Sequence, residues 1–147
     1  MKVVIYTDGA CSKNPGPGGY GIVMQLAGTN YCKEYSGGFK NTTNNRMELM
    51  AVIVALEKLN KPNIEVDVFT DSKYVHDAIE KKWIQKWVKI NFKDKKNKDL
   101  WLKYLEVSSN HKVKINWVKG HAGNVMNERA DKLATEAIKN KNLLVDL

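Results

Sequence analysis

Residues 6–21 read YTDGACSKNPGPGGYG, a stretch dense in glycine and proline that begins where an apolar run ends. It holds five of the ten glycines and two of the three prolines in a chain of 147 residues. No Gly-x-x-x-x-Gly-Lys-Ser/Thr pattern occurs in it, which argues against a nucleotide-binding P-loop. The order is instead an apolar strand (Val3–Tyr6), an aspartate, and a Gly/Pro turn that reverses into the next strand. The glycines permit positive φ and the prolines stiffen the turn. A turn so small and rigid presents Asp8 at the end of a strand and leaves room for a polymer backbone to approach it.

Working outward, Tyr20–Leu26 and Tyr31–Phe39 read as further strands joined by the turn Ala27-Gly28-Thr29-Asn30. TTNNRMELMAVIVALEKLNKP, residues 42–62, is the clearest helix, apolar nearly all round and therefore buried. Thr43, Asn44 and Asn45 offer N-cap oxygens, Asn45 with Glu48 resembles a capping box, and Pro62 marks the stop. Ile64–Thr70 reads as a strand, followed by a helix starting at Asp71-Ser72. Helices are expected at Trp83–Val88, Asp99–Ser108 and Met126–Lys139, with a strand at Val113–Val118. A strand meander followed by alternating helices and strands predicts an α/β fold with a mixed sheet and helices on both faces. The whole chain, 1–147, reads as a single domain.

Composition bounds the rest. A domain of this length buries roughly 70% of the surface of its unfolded chain. No run of about 18 apolar residues exists, so no membrane span is expected. The N-terminal KVVIY run is too short for the apolar region of a signal peptide. Cys11 and Cys32 make neither a disulfide framework nor a metal-ligand pair, and reduced thiols in a cytoplasmic monomer are the expectation. The formal charge is +8, and its placement is informative. From Lys81 to Lys103, nine lysines stand against Asp94 and Asp99, so a net +7 lies in 23 residues. Such a focused positive field favours a polyanion, most simply nucleic acid. Trp83, Trp87, Phe92 and Trp101 are interleaved with Lys81, Lys82, Lys86, Lys89, Lys93, Lys95, Lys96 and Lys98. That combination binds phosphates and stacks on sugars or bases without sequence choice. Trp83 and Trp87 serve equally as core packing of one helix, and so does Trp101 with Tyr104 and Leu105.

Two strands end in near-identical words, Tyr6-Thr7-Asp8-Gly9 and Phe69-Thr70-Asp71-Ser72. Ligands gather at the carboxyl ends of strands in α/β sheets, so parallel neighbours would set Asp8 beside Asp71 there. Glu48 sits in the first turn of the buried helix, where a lone carboxylate is costly unless paired or bound to a cation. Asp131 borders the apolar stripe Ala130, Leu133, Ala134 and Ala137 and is placed to face inward. Taken singly, Asp71 reads as a helix cap, Glu48 as a capping-box partner, and Asp131 as the mate of Lys132 or Arg129. Taken together, four converging acids need hard cations, and an oxygen-only donor set suits Mg²⁺ or Mn²⁺. Two such ions about 4 Å apart clamp both oxygens of an in-line phosphoryl displacement.

YTDGACSKNPGPGGYG, TTNNRMELMAVIVAL, FTDSKYV and WVKGHAGNVMNERADKLA together resemble, in order and spacing, the motifs of type 1 ribonuclease H. The resemblance runs from Tyr6 to Ala134. It implies a three-layer fold with a five-stranded mixed sheet and an endonuclease that cuts the RNA strand of RNA–DNA hybrids with two Mg²⁺ ions. It implies water attack in line with the departing 3′ oxygen, leaving 5′-phosphate and 3′-hydroxyl ends. Asp8, Glu48, Asp71 and Asp131 match the family's metal-binding carboxylates, with Asp8 expected to bridge both ions. His121, between Gly120 and Gly123, matches the family's histidine, which assists proton transfer or product departure; imidazole titrates near neutrality, which suits that task. His76 and His111 read as ordinary helix and loop residues. The resemblance also implies nucleic-acid contacts by Asn14 in the minor groove and by Asn44 and Asn45, with a basic protrusion around 81–101 gripping the DNA strand. Asn41 departs from the pattern where some members carry a basic residue near a DNA-phosphate pocket; Thr43 and Asn44 remain to form it. Two other classes compete. A non-catalytic hybrid- or duplex-RNA-binding module would keep the lysines but lose a carboxylate, and a nuclease or strand-transfer enzyme of the same fold would act on duplex DNA. An ATPase of related fold would need phosphate loops that are not found.

Overall fold

The computed structural model describes residues 1–120, 124–140 and 142–146. Five strands form one mixed sheet: β1 (Lys2–Cys11), β2 (Gly16–Leu26), β3 (Cys32–Thr42), β4 (Glu65–Thr70) and β5 (Lys112–Trp117). Their order across the sheet is β3-β2-β1-β4-β5. The first three make an antiparallel meander, whereas β4 lies parallel to both β1 and β5. The helices are α1 (Asn44–Glu57), α2 (Lys73–Glu80), α3 (Trp83–Lys89), α4 (Lys98–Ser108) and α5 (Val125–Ile138). The parallel pairing of β4 and β5 requires a long crossover, supplied by α2, α3 and α4.

The two faces of the sheet are covered for a reason visible in β1. Successive side chains alternate between faces. Ile5 points to the face packed by α1, where Leu49, Val52, Val66, Val68 and Trp101 are also fully buried. Burying each such side chain contributes roughly 1.5–3 kcal/mol. On the α1 face, a Cβ at Gly9 would lie 2.4 Å from the Glu48 nitrogen, so the first turn of α1 rests directly on β1. On the other face, a Cβ at Gly21 would lie 2.1 Å from the Ala130 carbonyl oxygen, so α5 rests directly on β2. Hydrogen-bonded pairing across β1 and β2 matches Gly21 with Asp8.

Three local expectations change. The opening strand runs on to Cys11, because its pairing with β2 continues to Cys11 opposite Gly18, so Asp8 stands inside the strand. The reversal itself is confined to residues 12–15. The N-cap of α1 is Thr43, whose hydroxyl accepts the Arg46 N–H at 3.2 Å. Asn45 and Glu48 make no capping box, for the Glu48 carboxylate is engaged by the Gly9 N–H instead. The cap of α2 is Ser72, which accepts the Val75 N–H at 3.1 Å, and this frees Asp71 from that duty.

Candidate active site

Asp8 and Asp71 meet through strand register. Parallel pairing of β1 and β4 matches Tyr6 with Phe69, and their rings stack at 5.2 Å. Continued by two residues, the same register sets Asp8 beside Asp71. Glu48 arrives from the first turn of α1, where the Gly9 N–H donates to its Oε1 and fixes its side chain. Ligand oxygens of Asp8, Glu48 and Asp71 lie within 4.8 Å of one another. Asp131, in the second turn of α5, completes the wall: it lines a cavity of about 440 Å³ together with the other three. Neither basic neighbour on α5 neutralises it, since Arg129 pairs with Glu34 at 2.6 Å and Lys132 reaches Glu136.

This arrangement is electrostatically expensive. Burial, the adjacent Asp131 carboxyl and the Asp71 charge push Asp8 up to about 8. Burial, then the charges of Asp8 and Asp71, holds Glu48 well above the usual carboxylate range. Only 8% of Asp8 and 7% of Glu48 is exposed, so water does little to screen them. Carboxylates packed in this way are relieved either by protons or by cations, and oxygen donors alone select hard divalent ions. The donor set therefore fits a divalent cation.

Four of the expected nucleic-acid residues border the same site. Asn44 and Asn45 are exposed and line the carboxylate cavity, and Thr43 caps the helix that carries them. Asn14 is tied to them, its side-chain oxygen accepting the Asn44 N–H at 3.2 Å. Asn41 is exposed on β3. A neighbouring cavity of about 330 Å³ is lined by Asn45, Tyr74, Trp87, Asp94, Lys95, Lys96 and Asn97. Asn45 and Tyr74 border both cavities, so the acidic cluster and the lysine loop open onto adjoining cavities. Lys86, Lys89 and Lys93 are exposed. Of the aromatics, Trp101 and Phe92 are buried and structural. Trp83 and Trp87 are half-buried, pack against the core, and carry Lys81 and Lys95 over their rings at 5.7 and 5.4 Å. His121 lies outside the described residues. His76 pairs with Asp77, and His111 accepts the Ile64 N–H, as befits structural residues.

Tyr74 lies within the FTDSKYV stretch, but nothing there points to its role. Its hydroxyl accepts from Trp101 Nε1 at 2.8 Å and from Asn97 Nδ2 at 3.1 Å, which pins the lysine loop to α2. Nothing in its spacing marks it out, since both partners come from more than twenty residues away in the chain. Arg46 is equally silent. It grips Asp99 and Asp146, each at 2.7 Å, and so ties the start of α1 to α4 and to the C-terminal segment.

The RNase H family model matches residues 1–139. The chain belongs to the ribonuclease H family. It is 54% identical over 151 residues to the ribonuclease H of Trichodesmium erythraeum, covering 99% of this chain and 94% of that protein. It is 51% identical over 150 residues to the ribonuclease HI of Synechocystis, covering 99% and 92%. Among solved structures, LC9-RNase H1, a type 1 RNase H with the type 2 active-site motif, superposes with a TM-score of 0.84 at 31% identity. That match covers 99% of this chain and 77% of the other. LC11-RNase H1, solved in complex with an RNA/DNA hybrid, matches with a TM-score of 0.69 at 28% identity over 93% of this chain and 96% of its own. The family consists of metal-dependent endoribonucleases, and the mixed five-stranded sheet expected from the resemblance is the one found. No helix among the described residues is long and apolar enough to cross a membrane.

Proposed function

We propose that this chain hydrolyses the RNA strand of RNA–DNA hybrids, with Asp8, Glu48, Asp71 and Asp131 holding two Mg²⁺ ions, or Mn²⁺ in their place. The observation that carries the reading is that the carboxylate cavity and the cavity under the lysine loop adjoin along Asn45 and Tyr74. A nuclease needs both a cation-binding acidic centre and a cationic grip on the rest of its polyanion, and here the two share one surface. When bound, two divalent cations stabilise charge on the attacking and departing oxygens of the phosphodiester. The protein's own part is positioning. The Gly9 N–H orients Glu48, the β1–β4 register sets Asp8 beside Asp71, and α5 brings Asp131 to the same cavity. Asn44 and Asn45 offer amides to a wide minor groove and its 2′-hydroxyls. In this reading Asn14 and Thr43 brace that edge, and His121 moves a proton at the departing product. Segment 81–101 holds the DNA strand through Trp83, Lys86, Trp87, Lys89, Lys93, Lys95 and Lys96. The protein acts as a single-domain monomer in a reducing, cytosolic compartment, consistent with free thiols at Cys11 and Cys32.

The deciding experiment is cleavage of a labelled hybrid with Mg²⁺ and then with EDTA, beside duplex RNA and duplex DNA. Cutting of the hybrid's RNA strand alone, abolished by EDTA and leaving 5′-phosphate ends, is expected. Tight binding without cutting in either Mg²⁺ or Mn²⁺ would leave only a binding module. A second result is expected at the loop: replacing Lys93, Lys95, Lys96 and Lys98 by alanine raises KM and flattens the dependence of log KM on log salt. Each phosphate contact contributes a slope of about 0.9. Lys98 already donates to Asn91 at 2.9 Å, so the other three should account for most of the change. An unaltered slope removes the loop from the binding surface.

A further inference from the structure

Lys73 borders the carboxylate cavity, and Trp117 holds the main chain of Asp71. Lys73 opens α2, two residues after Asp71, and lines the 440 Å³ cavity beside Asp8, Glu48, Asp71 and Asp131. Trp117 closes β5 and is 42% exposed. Its indole N–H donates to the Asp71 carbonyl oxygen at 3.1 Å, and the Lys73 ammonium stands 5.0 Å from the centre of its ring. Trp117 thus joins the Asp71 main chain on one side to the Lys73 ammonium on the other.

Neither residue suits its position by the rules of folding alone. A cation in the first turn of a helix opposes the helix dipole. Among the described residues, Lys73 forms no ion pair with a carboxylate that would offset this. Trp117 leaves much of a large ring in water at the end of an edge strand. Two breaches of local preference at one spot are expected where function takes precedence over stability. A lysine resting on an indole is steered by the ring while its three N–H donors stay free for another partner.

We propose that Lys73, seated on Trp117, holds a backbone phosphate of the strand being cut, next to the phosphate that the carboxylates engage. The strand follows from placement: Lys73 shares the carboxylates' own cavity, whereas the lysine loop lies beyond Asn45 and Tyr74. The need follows from charge, because a cluster of acids repels the phosphates flanking the one it captures, and a cation on the cavity wall offsets that repulsion. The inference rests on the hybrid-nuclease reading.

The test compares kcat, KM and salt dependence of hybrid cleavage in wild type, Lys73→Met, Lys73→Arg and Trp117→Leu. Lys73→Met keeps an apolar stem over the indole and removes only the charge. It should raise KM roughly fivefold to tenfold, the loss of one charge-assisted contact. It should also lower the salt slope by about 0.9, with kcat within about twofold of wild type. Lys73→Arg should restore both KM and slope. Trp117→Leu should raise KM as Lys73→Met does, and the two changes together should add little to either alone. Wild-type cleavage in the same series tests the underlying reading separately. An unchanged KM and salt slope in Lys73→Met, beside an active wild type, overturns the phosphate contact alone.

Discussion

Asp8→Asn is expected to lower hybrid cleavage by about a thousandfold or more while making the metal-free protein more stable. The activity loss follows from removing a charge that lies within ligand distance of both Glu48 and Asp71. Electrostatic stabilisation by bound metal amounts to several kcal/mol at the transition state, and about 4 kcal/mol corresponds to roughly three orders of magnitude. The stability gain has the opposite origin. Folding raises the Asp8 pKa from 3.8 to about 8, so the folded state holds its proton where the unfolded chain has released it. Stability is therefore fully present below about pH 4 and is lost as pH rises toward 8. Each tenfold gain in proton affinity corresponds to about 1.4 kcal/mol, so the penalty at pH 8 is on the order of several kcal/mol. Asparagine cannot ionise and escapes it. Thermal melts in EDTA should show a small difference between the proteins at pH 4 and a variant several degrees more stable at pH 8. Saturating Mg²⁺ should stabilise wild type far more than Asp8→Asn. A variant that cuts at a near wild-type rate, or that melts lower than wild type at pH 8, would overturn this account of the site.

Gly21→Ala should sharply lower both stability and activity. The added Cβ would sit 2.1 Å from the Ala130 carbonyl oxygen and 2.8 Å from the Ala134 nitrogen, both backbone atoms of α5. No rotamer change relieves such a clash, so the helix must shift away from the sheet. Overpacking of this kind costs about 3 kcal/mol, which lowers the Tm of a domain this size by roughly 10 °C. The site responds because Gly21 pairs with Asp8 across β1 and β2, and Asp131 follows Ala130 directly on α5. Pushing α5 outward moves Asp131 from Asp8 while Asp8, Glu48 and Asp71 keep their places. Activity should fall well below what the unfolded fraction explains, and Mg²⁺ titration should show weakened binding. A variant with wild-type Tm and wild-type Mg²⁺ response would show that α5 does not hold Asp131 through this contact.

Much of the molecule is legible along the chain because it is local. The strand-Asp-Gly and strand-Asp-Ser words at Asp8 and Asp71, the buried helix carrying Glu48, and the lysine run near Trp87 are each written in adjacent residues. Periodicity and turn chemistry act over the same few positions, so the order of strands and helices is legible to within a few residues. Where the fold departs from its local signals, a distant partner intervenes. The apolar run predicts a first strand that stops before Asp8, but β2 pairs with it to Cys11. Glu48 has the spacing of a mate for Asn45, three residues before it, yet it is taken by Gly9, which comes from another element altogether.

The order of residues along the chain supplies the chemical types: four acids, a basic aromatic segment, and glycines at positions 9 and 21. Folding in three dimensions is what brings three of those acids within 4.8 Å of one another and Asp131 to their cavity. It also makes the two glycines points of close contact with α1 and α5, ties Tyr74 to Trp101 and Asn97, and lays Lys73 over Trp117. The physical reason is that hydrogen bonding and periodicity act between near neighbours in the chain, whereas charge repulsion, burial and close packing depend on distance in space. Those distances are set by strand register and by how closely a helix can approach the sheet.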